Sequence, residues 1–190
     1  MKALRFVVID ARLLDAVHES RAALESCIRA SAEHGGEIIV PSLEQTVAHL
    51  AAKPRAPEWG CFMTVDDAVG QLVGGCGYKD GPAADGSVEV AYGTFPPFEG
   101  RGYATAMAAE LVVRAGRRRV LAHTLPERNA SCRVLEKAGF IRVGEFIDPE
   151  DGLVWRWVTE TAPVGTPQSA DPYCHTPQGQ PGFRPPPMRI

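Results

Sequence analysis

The stretch from Ser87 to Thr105 constrains this chain most. It begins as a strand-like run, Ser87-Val88-Glu89-Val90-Ala91-Tyr92-Gly93-Thr94-Phe95, and breaks at Pro96-Pro97. A small-residue loop follows, Glu99-Gly100-Arg101-Gly102-Tyr103-Ala104-Thr105. Beyond it Met107, Ala108, Leu111, Val112 and Ala115 recur at helical spacing, so Tyr103 to Gly116 is predicted to be an amphipathic helix with its first turn at the loop. A loop so poor in side chains exposes backbone N–H groups, and these add to the partial positive charge of a helix N-terminus. The ligand expected there is a phosphorylated cofactor.

What the loop lacks narrows that cofactor. A P-loop for nucleoside triphosphates carries Lys and Ser or Thr directly after its last Gly, where this chain has Tyr103-Ala104. A dinucleotide fold asks for Gly-x-Gly-x-x-Gly early in a parallel βαβ unit; here Thr105 holds the third position and the segment follows apparent antiparallel hairpins. The dinucleotide reading is kept only as a minor alternative. Downstream, Arg118 to Thr124 reads as a short strand, and Asn129-Ala130-Ser131-Cys132-Arg133-Val134-Leu135-Glu136-Lys137-Ala138-Gly139-Phe140 reads as a helix of about two turns with Asn129 as N-cap and Gly139 as its C-terminal stop.

Glu99 to Thr105 together with Asn129 to Phe140 resembles the acetyl-CoA signature of the GNAT superfamily of N-acetyltransferases. The string Asn-x-Ser-x-x-Val-Leu-Glu-Lys-x-Gly-Phe resembles the branch that contains the ribosomal-protein N-terminal acetyltransferases. The resemblance spans roughly Val40 to Val158 in order of elements. It implies an α/β fold of the α+β type, a mixed, mostly antiparallel central sheet flanked by helices, with a strand splay at the acetyl-CoA site. The pyrophosphate would sit on Gly100, Arg101, Gly102, Tyr103, Ala104 and Thr105, with Thr94 and Phe95 beside the pantetheine and Asn129 bonding that arm. Ser131 would protonate the departing thiolate. One departure stands out: the family loop opens with Gln or Arg, and this chain has the acid Glu99.

The chemistry needs a base as well, because an alkyl amine is protonated at pH 7, with an ordinary pKa of about 10.4. Alternation along the Ser87 strand puts Glu89 on the face opposite Val88, Val90 and Tyr92. A carboxylate beside apolar neighbours is costly unless used or paired, which makes Glu89 the candidate for taking the ammonium proton, directly or through water. Tyr92 and Glu145 stand in reserve. Cys132 has no His partner in the pattern and is expected in the core.

Composition agrees with a soluble enzyme. A chain of 190 residues with net charge -3 and pI near 6.0 can bury one sizeable core and is not suited to nucleic acid or an anionic membrane as main partner. The basic-then-apolar start, Met1 to Ile9, is too short for a signal core and reads as a first strand. The five cysteines are scattered, as are the histidines, so neither a disulfide framework nor a metal site is expected and a reducing cytoplasm is. A monomer or homodimer is expected.

The remaining elements follow from pattern. Arg12 to Ala32 is helical with a possible division near Glu19 and Ser20, and Ser42-Leu43-Glu44-Gln45 reads as a capping box for a helix to about Ala52. Strands are predicted at Trp59 to Val65, Gln71 to Tyr78, Ile141 to Ile147 and Leu153 to Val158. Trp155 and Trp157 face one side of the last strand, as core or as pocket lining. The tail 161–190 holds half of the chain's prolines and is expected to be extended or disordered, so the catalytic domain is assigned to 1–160. A non-catalytic acyl-CoA sensor or scaffold is the alternative to the enzyme.

Overall fold

The computed structural model describes residues 2–149 and 151–159. The Pro-rich tail, its boundary at 160 and Cys174 lie outside the described residues.

The chain opens with strand β1, Arg5–Val8, and helices α1, Ala11–Glu19, and α2, Arg21–Ile28. Their division falls at Ser20 for a simple reason. Its extended backbone cannot continue α1; its N–H closes that helix on the Ala16 carbonyl, and its side chain accepts from the Ala23 N–H to cap α2. Helix α3, Ile39–Ala52, corrects the capping-box reading. It starts three residues before Ser42, with Pro41 in the first turn, where a missing N–H costs nothing. Ser42 is inside the helix, and its carbonyl accepts a 2.7 Å bond from Thr46 Oγ1.

Strands β2, Cys61–Asp66, β3, Gln71–Tyr78, and β4, Val88–Thr94, come next. Helix α4, Tyr103–Ala115, strand β5, Val120–Thr124, helix α5, Ala130–Lys137, and the hairpin β6, Phe140–Asp148, with β7, Gly152–Thr159, complete the described chain. The seven strands form one sheet in the order β1-β2-β3-β4-β5-β7-β6, antiparallel throughout except between β4 and β5. This is the mixed, mostly antiparallel sheet expected from the sequence.

Helices cover both faces. On one, Tyr103, Met107 and Leu111 of α4 and Cys132 and Leu135 of α5 pack on Val88, Val90, Val120 and Ala122. On the other, Leu13, Leu24, Ile28 and Leu43 from α1 to α3 pack on Met63, Val65 and Leu72. Burial on this scale is what holds the layers, at about 25 cal/mol per Å² of apolar surface. A bulge between Thr64 and Val65 shifts the β2–β3 register beside Gly74. A Cβ at Gly74 would stand 2.1 Å from the Gly93 carbonyl oxygen, so only Gly lets β3 meet the end of β4 there.

Candidate active site

The parallel contact between β4 and β5 is the weakest seam of the sheet. Only Val88 with Val120 and Glu89 with Leu121 are in register, and beyond them the two strands part. On its other side β4 stays paired to β3 through Thr94, with Lys79 N–H donating to the Glu89 carbonyl and Phe95 N–H to the Val73 carbonyl. Alternation therefore turns the N–H and C=O of Tyr92 and Thr94 toward the gap. Of the two residues expected beside the pantetheine, Thr94 offers its backbone to the opening, while the Phe95 N–H is already used by β3 and leaves only its half-buried ring. Thr94 Oγ1 is also buried without a hydrogen-bond partner among the described residues.

Below the gap the loop 99–102 leads into α4. Gly100 and Gly102 have φ of 69° and 84°, the left-handed conformation in which Gly carries no penalty. Gly102 is the N-cap residue, and no side chain caps α4, so the N–H groups of its first turn, Tyr103 to Thr105, are left to a ligand or to solvent. The Tyr103 side chain points into the core, where its hydroxyl donates a 2.8 Å bond to buried Asp66, and it fixes the helix start without blocking the amides. A cleft of about 600 Å³ opens at this turn, lined by Lys2, Arg101, Lys137, Gly102 and Thr105. Three cations around uncapped amides suit a phosphate-rich ligand. Glu99 is exposed at the loop mouth.

Two side-chain pairs flank the gap on opposite faces of the sheet. On the α4–α5 face the Tyr92 hydroxyl lies 2.9 Å from Ser131 Oγ, and Ser131 is 6 % exposed in the first turn of α5. Burial pushes the Tyr92 phenol up to about 12, against the opposing effect of its bond to Ser131, so Tyr92 stays protonated near neutrality. Asn129 caps α5 by accepting a 3.1 Å bond from the Cys132 N–H. Cys132 itself is fully buried, as expected of a core thiol.

On the opposite face Glu89 is neither solvated nor alone. Its Oε1 is 2.7 Å from Lys79 Nζ and 2.9 Å from His123 Nδ1. Burial works to raise the Glu89 carboxyl, but the hydrogen bond from His123 and the charge of Lys79 outweigh it and hold the group below its ordinary value. Lys79 is held above its own, the pull of Glu89 exceeding the effect of burial. Arg156 Nε in turn donates to His123 Nε2 at 3.3 Å, so the His123 proton is on Nδ1 and faces Glu89. Sequence reading missed His123, Lys79 and Arg156. The signal for His123 was its alternation with Ala122 and Thr124, which puts it on the Glu89 face of the strand next to the splay.

The structure does not bring every candidate together. Glu145 is exposed on the outer hairpin, where it accepts a 3.2 Å bond from Trp155 Nε1. Trp157 is 2 % exposed and donates to Thr124 Oγ1, and both Trp155 and Trp157 line a separate cleft of about 320 Å³ with Arg128, Arg142 and Phe140. Among the described residues no three His, Cys, Asp or Glu side chains gather as metal ligands, and no helix is long and apolar enough to cross a membrane.

Known structures share this architecture. The aminoglycoside acetyltransferase AAC(6')-Ib, in complex with coenzyme A, matches with a TM-score of 0.58 at 18% identity, over 83% of this chain and 94% of that one. A chimera of the spermidine N-acetyltransferase SpeG from Vibrio cholerae and hSSAT matches at 0.56 and 14% identity, over 82% and 94%. The microcin C7 self-immunity acetyltransferase MccE, in complex with acetyl-CoA and AMP, matches at 0.58 and 12% identity, over 84% and 93%. At these identities the likeness is one of fold. A search of curated protein sequences gave no match. The family profile of the acetyltransferase (GNAT) domain, however, matches residues 11–141, well over half the chain, and the chain belongs to that family.

Proposed function

We propose that the chain transfers the acetyl group of acetyl-CoA to a primary amine by direct attack in a ternary complex, without an acyl-enzyme. One observation carries this reading: the β4–β5 opening has the Glu89–His123 pair on one face and the Tyr92–Ser131 pair on the other. A reaction that takes a proton from an amine and returns one to a thiolate needs that separation. The structural neighbours agree in kind, since two of their names point to aminoglycosides and spermidine as acceptors, and the crystals of AAC(6')-Ib and MccE hold coenzyme A and acetyl-CoA.

Each residue then has a task. Acetyl-CoA supplies a thioester whose carbonyl carbon is the electrophile. The amides of Gly100 to Thr105 hold the pyrophosphate, Arg101, Lys137 and Lys2 offset its charge, and the Thr94 backbone and Asn129 side chain bond the pantetheine, with the Phe95 ring beside it. A Tyr92 or Thr94 N–H aimed at the thioester oxygen stabilises the charge that develops there. Glu89 attracts the ammonium and draws off its proton, directly or through water, with the His123 Nδ1–H holding the carboxylate in place. Ser131 donates to the departing sulfur and is reprotonated through the Tyr92 hydroxyl, whose own proton is replaced from solvent. The compartment that suits such an enzyme is a reducing cytoplasm, in keeping with four free thiols among the described residues. The α5 string that resembles the ribosomal-protein branch keeps a protein N-terminus among the acceptors to be tried.

The exposed Glu99, in the place of the usual Gln or Arg, is what favours a second reading, an acyl-CoA sensor or scaffold. Release of free thiol from acetyl-CoA over a panel of small amines, polyamines and peptides decides between them: the enzyme releases thiol with at least one acceptor, and a sensor binds and releases none. Ser131→Ala is expected to lower turnover by about tenfold. The loss is modest because water can substitute as donor, and it should be the same at pH 7 and pH 9 in that assay.

A further inference from the structure

Arg156 stands apart in the Glu89 group in having no carboxylate partner among the described residues. Lys79 is paired with Glu89, and Asp148 and Asp151 of the β6–β7 turn also act on Lys79. Arg156 forms no ion pair among the described residues. Its Nε is bonded to His123, and its guanidinium lies over the Phe146 ring at 4.3 Å, the same ring on which His123 stacks with centroids 5.6 Å apart. Half-buried, clamped at Nε and supported on one π-face, the guanidinium keeps the donors of both Nη atoms uncommitted among the described residues. A fixed fork of this kind matches a carboxylate in bidentate geometry.

Its place in the group defines what it can select. His123 bridges Glu89 at Nδ1 and Arg156 at Nε2, so the site for the ammonium and the site for an anion stand one imidazole apart. Resting on the acetyltransferase reading above, we propose that Arg156 anchors the carboxylate of the acceptor, and that the acceptor is an amino acid: an amine with a carboxylate a few bonds away. A polyamine would bring a second ammonium against the same unpaired guanidinium, a like-charge contact.

Thiol release at saturating acetyl-CoA tests this with matched pairs, each amino acid beside its own carboxamide, together with spermidine and a short peptide. The carboxamide has the less basic amine, so reactivity alone favours it. The expected result is at least a tenfold higher kcat/KM for the amino acid, expressed in KM, and a ratio near one in Arg156→Gln, with Arg156→Lys between because it keeps charge without the fork. The ratio cancels any general damage to His123. Equal use of carboxamides, preference for spermidine or the peptide, failure of every amino acid, or an unchanged ratio in Arg156→Gln overturns the anchor. Calorimetry with acetyl-CoA separates the two levels: if the cofactor binds and spermidine is acetylated, only the anchor falls, whereas absence of acetyl-CoA binding removes the acetyltransferase reading with it.

Discussion

Glu89→Gln is expected to lower turnover by about a hundredfold or more at neutral pH, while acetyl-CoA affinity stays within about twofold. The substitution keeps the shape of a side chain that contacts His123 and Lys79 but removes the charge that both of them answer. The held-down carboxyl stays ionised throughout the neutral range, so the wild-type protein should not lose this contribution until well into acid. The sign of the pH effect in the variant is the stronger test. As pH rises toward the ordinary ammonium pKa of about 10.4, more amine is neutral without help, and the deficit should shrink. Rates of thiol release from pH 6 to 9.5, for both proteins, read this directly. A Glu89→Gln protein with the wild-type rate at pH 7 would pass the role to His123 or to a bound water.

Gly102→Val is expected to weaken acetyl-CoA binding by tenfold or more. At φ of 84° a β-branched residue is strained by roughly 1–2 kcal/mol, and it would turn the start of α4 away from the conformation that presents the Tyr103 to Thr105 amides. Inside the protein a Cβ at this position meets nothing within 4 Å, so the crowding falls on whatever approaches the loop from outside. Calorimetry on a variant with a native circular dichroism spectrum makes the measurement. Unchanged affinity would take the loop out of the cofactor site.

Much of this was legible because it is local. Helical spacing after Gly102, the Asn129 cap, the break at Ser20 and the limits of β3 each depend on neighbours within one or two turns of chain. The early start of α3 was hidden because Ser42 satisfies a capping pattern that the structure does not use, tertiary packing of Ile39 and Leu43 having set the helix instead. The site was half legible. Strand alternation put Glu89 on its correct face, yet its partners Lys79 and His123 come from neighbouring strands, and the match with His123 is set by a two-pair parallel register that periodicity does not encode. The contact of Tyr92 with Ser131, 39 residues apart in sequence, is out of reach of local pattern for the same reason.

A sheet joined at its centre by two residue pairs should also exchange its amide hydrogens unevenly. Along β4 the N–H groups of Ala91, Gly93 and Phe95 face β3 and should exchange slowly, while those of Tyr92 and Thr94, turned to the opening, should exchange fast in the free protein. A ligand lying in that opening would act as a missing strand. On the function proposed, acetyl-CoA would slow Tyr92 and Thr94 selectively and raise the melting temperature with its concentration, coupling the two halves of the sheet through a small molecule rather than through polypeptide.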